Sequence, residues 1–239
     1  MKRKERPMWQ YDELKINSII DYTTASEAAH YEERHSTVRN IKAENQNLLD
    51  RLEVLIPDGL AKAKILEIGT GTGAFARTVA PKCAWVTALD ASEAMLAVAK
   101  EKAAPLGLTN MEWFHAGFLT FDFPENEYDA VVSSLALHHL PDVWKGEALA
   151  NIRRTLKPGG VFILVDVTFP WDCGEMAKCE TVFLDKISSE EMKDPFIGHL
   201  SKEYSTFSWI MAALIEHAGL KLLERSKFSA VAEIFVARK

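Results

Sequence analysis

The fold of this chain is decided by residues 65–76, which read Ile65-Leu66-Glu67-Ile68-Gly69-Thr70-Gly71-Thr72-Gly73-Ala74-Phe75-Ala76. The stretch begins as a short apolar run, which is typical of a strand buried on both faces. Three glycines at alternate positions follow, and then the start of a helical pattern. Glycine lacks a Cβ, so its backbone can approach a ligand closely, and a helix N-terminus offers free N–H groups. The stretch therefore predicts a strand, a glycine-rich turn and a helix start that together cradle a nucleotide-like ligand.

Two classes of ligand fit this loop. Gly69, Gly71 and Ala74 match a degenerate dinucleotide-binding fingerprint. Asp90 lies 19 residues after Gly71, where an acid that binds ribose is expected. Glu67 favours a different ligand, because a carboxylate at the end of the strand repels a pyrophosphate and attracts a cationic group. The loop alone thus leaves an NAD(P)-dependent oxidoreductase open as an alternative.

The rest of the chain alternates apolar runs with helical patterns, as a parallel sheet with crossover helices requires. Parallel strands are predicted at 64–68, 84–89, 111–115, 128–134 and 161–167. Ser92 and Asp142 are expected to cap helices, and residues 157–160 are expected to form a turn. Two β-rich runs at 220–227 and 230–237 predict an antiparallel edge. The expected fold is α/β, with a doubly wound, mostly parallel, seven-stranded, Rossmann-like sheet.

The segments outside this alternation are expected to serve the site. Residues 1–60 predict an N-terminal arm and a helical lid, with a capping box at Thr24–Glu27. The domain proper is expected to cover 61–239. Within it, residues 168–206 interrupt the alternation after the fifth strand and predict an insertion over the carboxyl ends of the strands.

Several motifs in order resemble those of the class I S-adenosylmethionine-dependent methyltransferases, in their small-molecule branch. The resemblance covers roughly residues 64–167. The motifs are Glu67-x-Gly69-x-Gly71-x-Gly73, Asp90-Ala91-Ser92-x-x-Met95-Leu96, Ser133-Ser134-Leu135-Ala136-Leu137-His138-His139-Leu140-Pro141 and Leu156-Lys157-Pro158-Gly159-Gly160. One departure is visible: the family usually has Gly-Asp after the third strand, with the acid on the adenine amino group, and this chain has Ala116-Gly117.

The resemblance implies S-adenosyl-L-methionine as the cofactor and S-adenosyl-L-homocysteine as its product. It implies that Asp90 binds the ribose, that Met95 packs on the adenine and that Tyr31 closes over the cofactor. Adenine recognition is then left to backbone groups and to Phe118. The candidate cofactor-binding residues are Tyr31, Glu67, Gly69, Thr70, Gly71, Gly73, Asp90, Ala91, Met95, Ala116, Gly117, Phe118 and Ser134.

The acceptor side is less defined by the sequence. A sulfonium methyl group is already activated, so the enzyme mainly aligns the nucleophile and excludes water. A base is needed only for an acceptor atom that carries a proton. Candidates for that role are His138, His139, Asp166 and His199, while Glu203 and Tyr204 lie in the same insertion as His199. We predict no metal ligand set, because the spacing of Cys173 and Cys179 does not suit zinc.

Composition narrows the classes of partner. The net charge of −6 and the pI near 5.7 disfavour a nucleic-acid footprint. The sequence shows no signal peptide and no apolar run long enough for a membrane span. Three cysteines in an acidic chain indicate a reduced, cytoplasmic protein. The expected function is methylation of a small-molecule acceptor, the oligomeric state is open to a homodimer, and a non-catalytic S-adenosylmethionine-binding module is a further alternative.

Overall fold

The computed structural model describes residues 4–15, 22–36, 39–186, 193, 197, 200–229 and 232–239. The strands are β1 (Lys64–Ile68), β2 (Trp85–Asp90), β3 (Met111–His115), β4 (Tyr128–Ser134), β5 (Leu156–Asp166), β6 (Thr168–Phe169), β7 (Thr206–Phe207), β8 (Lys221–Lys227) and β9 (Glu233–Arg238). The helices, with described single turns left unlabelled, are α1 (Ala25–Ser36), α2 (Ile41–Leu55), α3 (Ala74–Val79), α4 (Glu93–Ala103), α5 (Asp142–Thr155), α6 (Lys178–Val182) and α7 (Ser208–His217).

Seven strands form one sheet in the order β3-β2-β1-β4-β5-β9-β8. The first five pair in parallel, and β9 runs antiparallel to both β5 and β8. The predicted doubly wound, mostly parallel sheet with an antiparallel edge is therefore confirmed. The order reverses between β1 and β4, and ligands of open α/β sheets bind at the carboxyl ends of the strands beside such a reversal.

Two apolar layers cover the faces of the sheet. Leu66 and Ile68 of β1 join the layer that packs against α5 and α7. Ile65 joins the opposite layer, together with apolar side chains of α2 and α3. This alternation follows from the two-residue period of a strand, and it explains why β1 reads as a continuous apolar run. None of the helices in the described ranges has the length and apolar character that a membrane span requires.

Two local predictions are wrong. Residues 157–160 belong to β5 rather than to a turn, because Lys239 pairs there: Gly159 N donates to its carbonyl at 3.1 Å and its N–H donates to Gly160 O at 3.0 Å. Asp142 is the first residue of α5 and Pro141 takes the cap position. The Asp142 carboxylate instead accepts from Lys145 Nζ at 2.7 Å. The predicted cap at Ser92 is confirmed by its bond from Met95 N at 3.1 Å.

The flanking segments lie on the side of the sheet where the strands end. The arm reaches the loop after β3, where Lys4 N donates to Thr120 O at 2.8 Å. In the insertion, β6 and β7 pair in parallel beside a small aromatic cluster of Phe169, Trp171 and Phe183. The boundaries at residues 60, 168 and 206 remain predictions.

Candidate active site

The glycine loop is held by the ends of β1 and β2, and its three glycines do different things. Gly69 N and Thr70 N both donate to Leu89 O at 2.9 Å. All three glycines have positive φ, but a Cβ added to Gly69 would lie 2.3 Å from Ala136 Cβ, and one on Gly73 would lie 2.8 Å from the Trp113 ring. A Cβ on Gly71 meets nothing within 4 Å. Packing therefore explains Gly69 and Gly73, whereas Gly71 borders open space that a ligand can occupy.

Glu67 lies at the end of β1 under this loop. The side chain is buried, and its Oε2 accepts from Thr70 Oγ1 at 2.6 Å. Burial raises the pKa of the Glu67 carboxyl to about 8, and the nearby Asp90 charge adds to the shift. A cationic ligand group close to Glu67 would favour its ionised form, so the carboxyl is suited to a ligand that carries positive charge.

Asp90 ends β2 and joins the loop to α4. Its Oδ2 accepts from Gly71 N at 2.7 Å and its Oδ1 accepts from Ser92 N at 2.8 Å. Each carboxylate oxygen has a second lone pair, which leaves acceptor capacity for ribose hydroxyls. Burial raises the pKa of Asp90. The carboxylate therefore orders the loop in the unliganded chain, and this role is compatible with the predicted ribose contact.

The helix α1 lies over this crevice. The Glu32 carboxylate of α1 accepts from Thr72 Oγ1 at 2.5 Å and from Arg77 at 3.2 Å, and it pairs with Lys102 Nζ at 2.9 Å. These contacts attach the predicted lid to the glycine loop itself. Tyr31, one residue earlier, is half-buried, and its pKa is raised by desolvation and by the charge of Asp90. Tyr31 thus lies within electrostatic range of Asp90, and its contact with the cofactor stays a prediction.

A second tyrosine extends the cover towards the rest of the site. The rings of Tyr22 and Tyr31 meet edge to face at a centroid distance of 5.7 Å. Ser92 Oγ donates to Tyr22 O at 2.6 Å, which fixes this segment to the start of α4. Burial raises the pKa of Tyr22, and Tyr31 and Glu203 contribute further. We call Tyr22 and α1 together the N-terminal cover. Glu203 of the insertion is therefore a neighbour of this cover.

The loop after β3 is bound by a residue of the arm that the sequence did not indicate. Glu13 of the arm is 7% exposed, and its Oε1 accepts from Leu119 N at 2.9 Å, Thr120 N at 2.8 Å and Thr120 Oγ1 at 2.7 Å. A Cβ on Gly117 would lie 2.5 Å from Glu13 Oε2. The carboxylate of Glu13 therefore occupies the space next to position 117, where the family usually has an acid. The only sequence signal was the Ala116-Gly117 departure, since more than a hundred residues separate the partners.

The other candidates around the adenine end are placed as follows. Phe118 is 5% exposed, and its side chain belongs to the core layer that also contains apolar residues of α5. Ala116 and Met95 are buried, and Ala91 O lies 2.9 Å from His115 Nε2. Their assignment to the cofactor site stays a prediction.

The acceptor-side candidates come together beyond β4 and β5. Asp166 at the end of β5 is fully buried, accepts from Val167 N at 2.9 Å and is hydrogen-bonded to His138 Nδ1. His138 Nε2 lies 3.4 Å from Glu203 Oε2, and His139 Nδ1 lies 3.9 Å from Glu203 Oε1. Ser134 is the last residue of β4, four residues before His138 in the sequence. His199 lies outside the described residues. Three of the four catalytic candidates thus form one cluster with Glu203.

The insertion is attached to this cluster through its backbone. Tyr204 N donates to His138 O at 2.9 Å, and Lys145 Nζ, fully buried, is hydrogen-bonded to Tyr204 O. The Tyr204 ring meets Tyr11 of the arm edge to face at 6.3 Å. Arm, insertion and strand ends therefore meet around the same edge of the sheet.

A glycine loop between two strand-end acids, at the reversal of a doubly wound sheet, defines a Rossmann-like protein that binds a nucleoside-type cofactor. Comparison with known proteins narrows this class. A family described as "Methyltransferase domain" matches residues 65–160. A demethylmenaquinone methyltransferase of Bacillus cytotoxicus is 30% identical over 168 residues, which cover 68% of this chain and 67% of that protein. One of Listeria welshimeri is 30% identical over 138 residues, with 58% of this chain and 55% of that protein covered.

Solved structures share the fold. An O-methyltransferase family 2 protein of Planctomyces limnophilus in complex with apigenin has a TM-score of 0.68 at 19% identity, covering 95% of this chain and 64% of that one. The N-methyltransferase NodS of Bradyrhizobium japonicum, in complex with S-adenosylhomocysteine, has a TM-score of 0.60 at 19% identity, covering 84% and 88%. The chain belongs to the class I S-adenosylmethionine-dependent methyltransferases. The predicted family, enzyme class and cofactor are confirmed, and the proteins compared above are not dehydrogenases.

Proposed function

We propose that this protein transfers the methyl group of S-adenosylmethionine directly to a small molecule held between the N-terminal cover and residues 200–206. The observation that carries the proposal is the position of Glu203. It lies 3.4 Å from His138 at the strand ends and is also a charged neighbour of Tyr22, which covers the cofactor crevice with Tyr31. This proximity supports an acceptor space that adjoins the cofactor crevice.

The chemistry requires little beyond this enclosure. A lone pair of the acceptor forms a bond to the methyl carbon while the carbon–sulfur bond breaks, and S-adenosylhomocysteine leaves as a neutral thioether. Holding the two atoms in line at roughly 3–3.5 Å supplies most of the rate enhancement. Glu67 and Asp90 retain and orient the cofactor, and the Tyr22–Tyr31 pair shields the sulfonium from water.

The nature of the surrounding side chains supports a small acceptor. Tyr11, Tyr22, Tyr31 and Tyr204 combine apolar rings with hydroxyl groups, the composition of a small-molecule pocket. The net charge of −6 supports neither DNA nor RNA as the acceptor. We place the protein in the reducing cytoplasm, in agreement with the free state of Cys83, Cys173 and Cys179.

Transfer from methyl-labelled S-adenosylmethionine tests the proposal. The acceptors are a panel of small hydroxyl, amine and thiol compounds together with demethylated quinols, because the relatives named above act on demethylmenaquinone by name. We expect a labelled small product and S-adenosylhomocysteine in equal amounts, both lost in Gly71→Val. Tight cofactor binding without transfer to any of these compounds would favour the non-catalytic module, and transfer to tRNA or DNA would contradict a small acceptor.

A further inference from the structure

Four ionisable side chains form a buried group beyond the ends of β4 and β5. The exposed fractions of their side chains are 3% for His138, 0% for Asp166, 3% for Glu203 and 23% for His139. Two carboxylates at such depth require compensating positive charge, since an isolated buried carboxylate costs several kcal/mol. A cation bound by the side chains that offer ligand atoms is one source of that charge.

The orientation of His138 favours a cation. Asp166 is hydrogen-bonded to its Nδ1, so Nδ1 carries the proton of the neutral imidazole and Nε2 presents a lone pair. That lone pair faces a Glu203 oxygen 3.4 Å away. In that neutral form, a cation bound between the lone pair and the carboxylate oxygen would stabilise both. A buried carboxylate behind a histidine is also the arrangement that orients metal-ligating imidazoles in proteins.

The distances fit a shared metal ion better than a direct ion pair. A charged N–H···O bond is typically about 2.7–2.9 Å long, so 3.4 Å is long for one. Two ligands that are each about 2.1 Å from one ion at a tetrahedral angle lie about 3.4 Å apart. His139 Nδ1 lies 3.9 Å from the other Glu203 oxygen, and all three residues offer ligand atoms within 4.8 Å of one another.

We propose that His138, His139 and Glu203 bind one divalent first-row transition-metal ion, with Asp166 holding His138 from outside the coordination shell. Two imidazoles and one carboxylate form the ligand set of catalytic zinc sites and of non-haem iron sites. Three protein ligands leave at least one coordination position open. The prediction of no metal considered only the cysteine spacing, and no motif links this set, because Glu203 reaches the histidines through the insertion, where Tyr204 N donates to His138 O.

An open position on the ion would be available to an acceptor bound beside Glu203, and this use of the site rests on the proposed function, whereas metal binding does not. The acceptor class that fits is a small molecule with an oxygen that coordinates a metal, such as an enolate, phenolate or catecholate. A bound metal lowers the pKa of a coordinated hydroxyl group, which yields the anionic nucleophile without a separate base.

Zinc and cobalt binding test the proposal directly. Metal-free protein with Cys173→Ser and Cys179→Ser serves as the background, because these thiols are the other metal-binding groups near the insertion. We expect one Zn²⁺ per chain by calorimetry, and visible absorption bands of bound Co²⁺ that Zn²⁺ displaces. His139→Ala and Glu203→Gln should weaken Zn²⁺ binding by at least about 100-fold, and Asp166→Asn by about 10–100-fold. His217→Ala, at the exposed end of α7, should leave binding unchanged.

Affinity for S-adenosylhomocysteine, measured on the same samples, separates failure of the site from failure of the fold. A variant that binds S-adenosylhomocysteine normally but has lost Zn²⁺ supports the site. Wild-type protein that binds no Zn²⁺ or Co²⁺ at millimolar concentration overturns it, and so does Zn²⁺ binding that Glu203→Gln and His139→Ala leave unchanged. Neither result bears on methyl transfer, which the labelled-methyl assay measures independently.

Discussion

The cofactor end and the acceptor end of this site are assembled in different ways. The cofactor end is local: Thr70 bonds Glu67 three residues away, and Gly71 bonds Asp90 across 19 residues. The acceptor end joins distant parts of the chain, with 28 residues between His138 and Asp166 and the insertion supplying Glu203. The difference teaches that a nucleoside-type cradle can be encoded in one strand–loop–helix unit, whereas the acceptor site depends on how the flanking segments dock.

The largest effect is expected from Gly71→Val. The new side chain enters the open space beside the loop, and the residue must keep a φ of 54° that valine rarely adopts. We expect S-adenosylhomocysteine binding to weaken by more than about 100-fold, or roughly 3 kcal/mol. Gly107→Val is the matched control, because Gly107 has a φ of 63° and equally open surroundings away from the cradle. Equal losses of affinity in both variants would mean that backbone strain, not ligand contact, explains Gly71.

Asp90→Ala tests whether this carboxylate binds ribose or only orders the loop. Loss of a charged hydrogen bond should weaken S-adenosylhomocysteine binding by roughly 1.5–3 kcal/mol in calorimetry. Asn40→Ala is the comparison, because it removes the cap of α2, in which Asn40 Oδ1 accepts from Ala43 N at 3.0 Å, and should cost about 1 kcal/mol of unfolding free energy while leaving affinity nearly unchanged. If Asp90→Ala also loses only stability, the ribose contact is wrong.

Glu13 is an exception to the local assembly of the cofactor end, because this residue of the arm makes a long-range contact there. Glu13→Ala leaves the amides of Leu119 and Thr120 without their carboxylate, and we expect affinity for S-adenosylhomocysteine to fall by roughly 1.5–2 kcal/mol. Gly117→Asp should restore much of the loss in the Glu13→Ala background, because its carboxylate enters the vacated space.

In wild-type protein, Gly117→Asp alone should be harmful, since its Cβ would lie 2.5 Å from Glu13 Oε2. The rescue is measured as the coupling between the two substitutions in a double-mutant cycle. Additive effects would show that Glu13 does not stand in for an acid at position 117.

A smaller effect concerns pH. The pKa of Glu67 is about 8 in the unliganded chain, with Asp90 and Arg77 as its charged neighbours, so the carboxyl is protonated at pH 6.5 and must ionise to attract a cationic ligand. Affinity for S-adenosylmethionine should therefore rise by up to about 25-fold from pH 6.5 to 8.5, because the ionised fraction of a carboxyl with a pKa of about 8 rises from about 3% to about 76%. Glu67→Gln should flatten this profile, whereas Glu112→Gln, outside the cradle, should keep it.

The same shift has the opposite sign for stability without ligand. A raised folded-state pKa means that the contribution of Glu67 is complete below its usual value of 4.5 and is lost as the pH rises through about 8. Unfolding measured by denaturant titration without cofactor should thus show greater stability at pH 6 than at pH 9. A wild-type profile identical to that of Glu67→Gln would contradict the shift.

Local and long-range contacts also differ in how well the sequence predicts them. The strand–loop–helix unit, the seven strands and the cap at Ser92 were predictable, because each depends on residues close together in the chain. Glu13 was not assigned, and Glu203 was noted in the insertion but not paired with the histidines, since the partners lie in separate segments and no motif links them. Residues 157–160 were misread because pairing with Lys239 outweighs the local turn signal of proline and glycine.

Hydrogen exchange with and without S-adenosylhomocysteine tests the central claim most directly, namely that the N-terminal cover and the insertion close one space over the cofactor. We expect added protection in residues 65–75 and 88–95, and also in 24–36 and 200–206. NAD at the same concentration should protect none of them. Protection confined to the glycine loop and Asp90, with no change in 24–36 or 200–206, would show that neither segment closes over the bound cofactor.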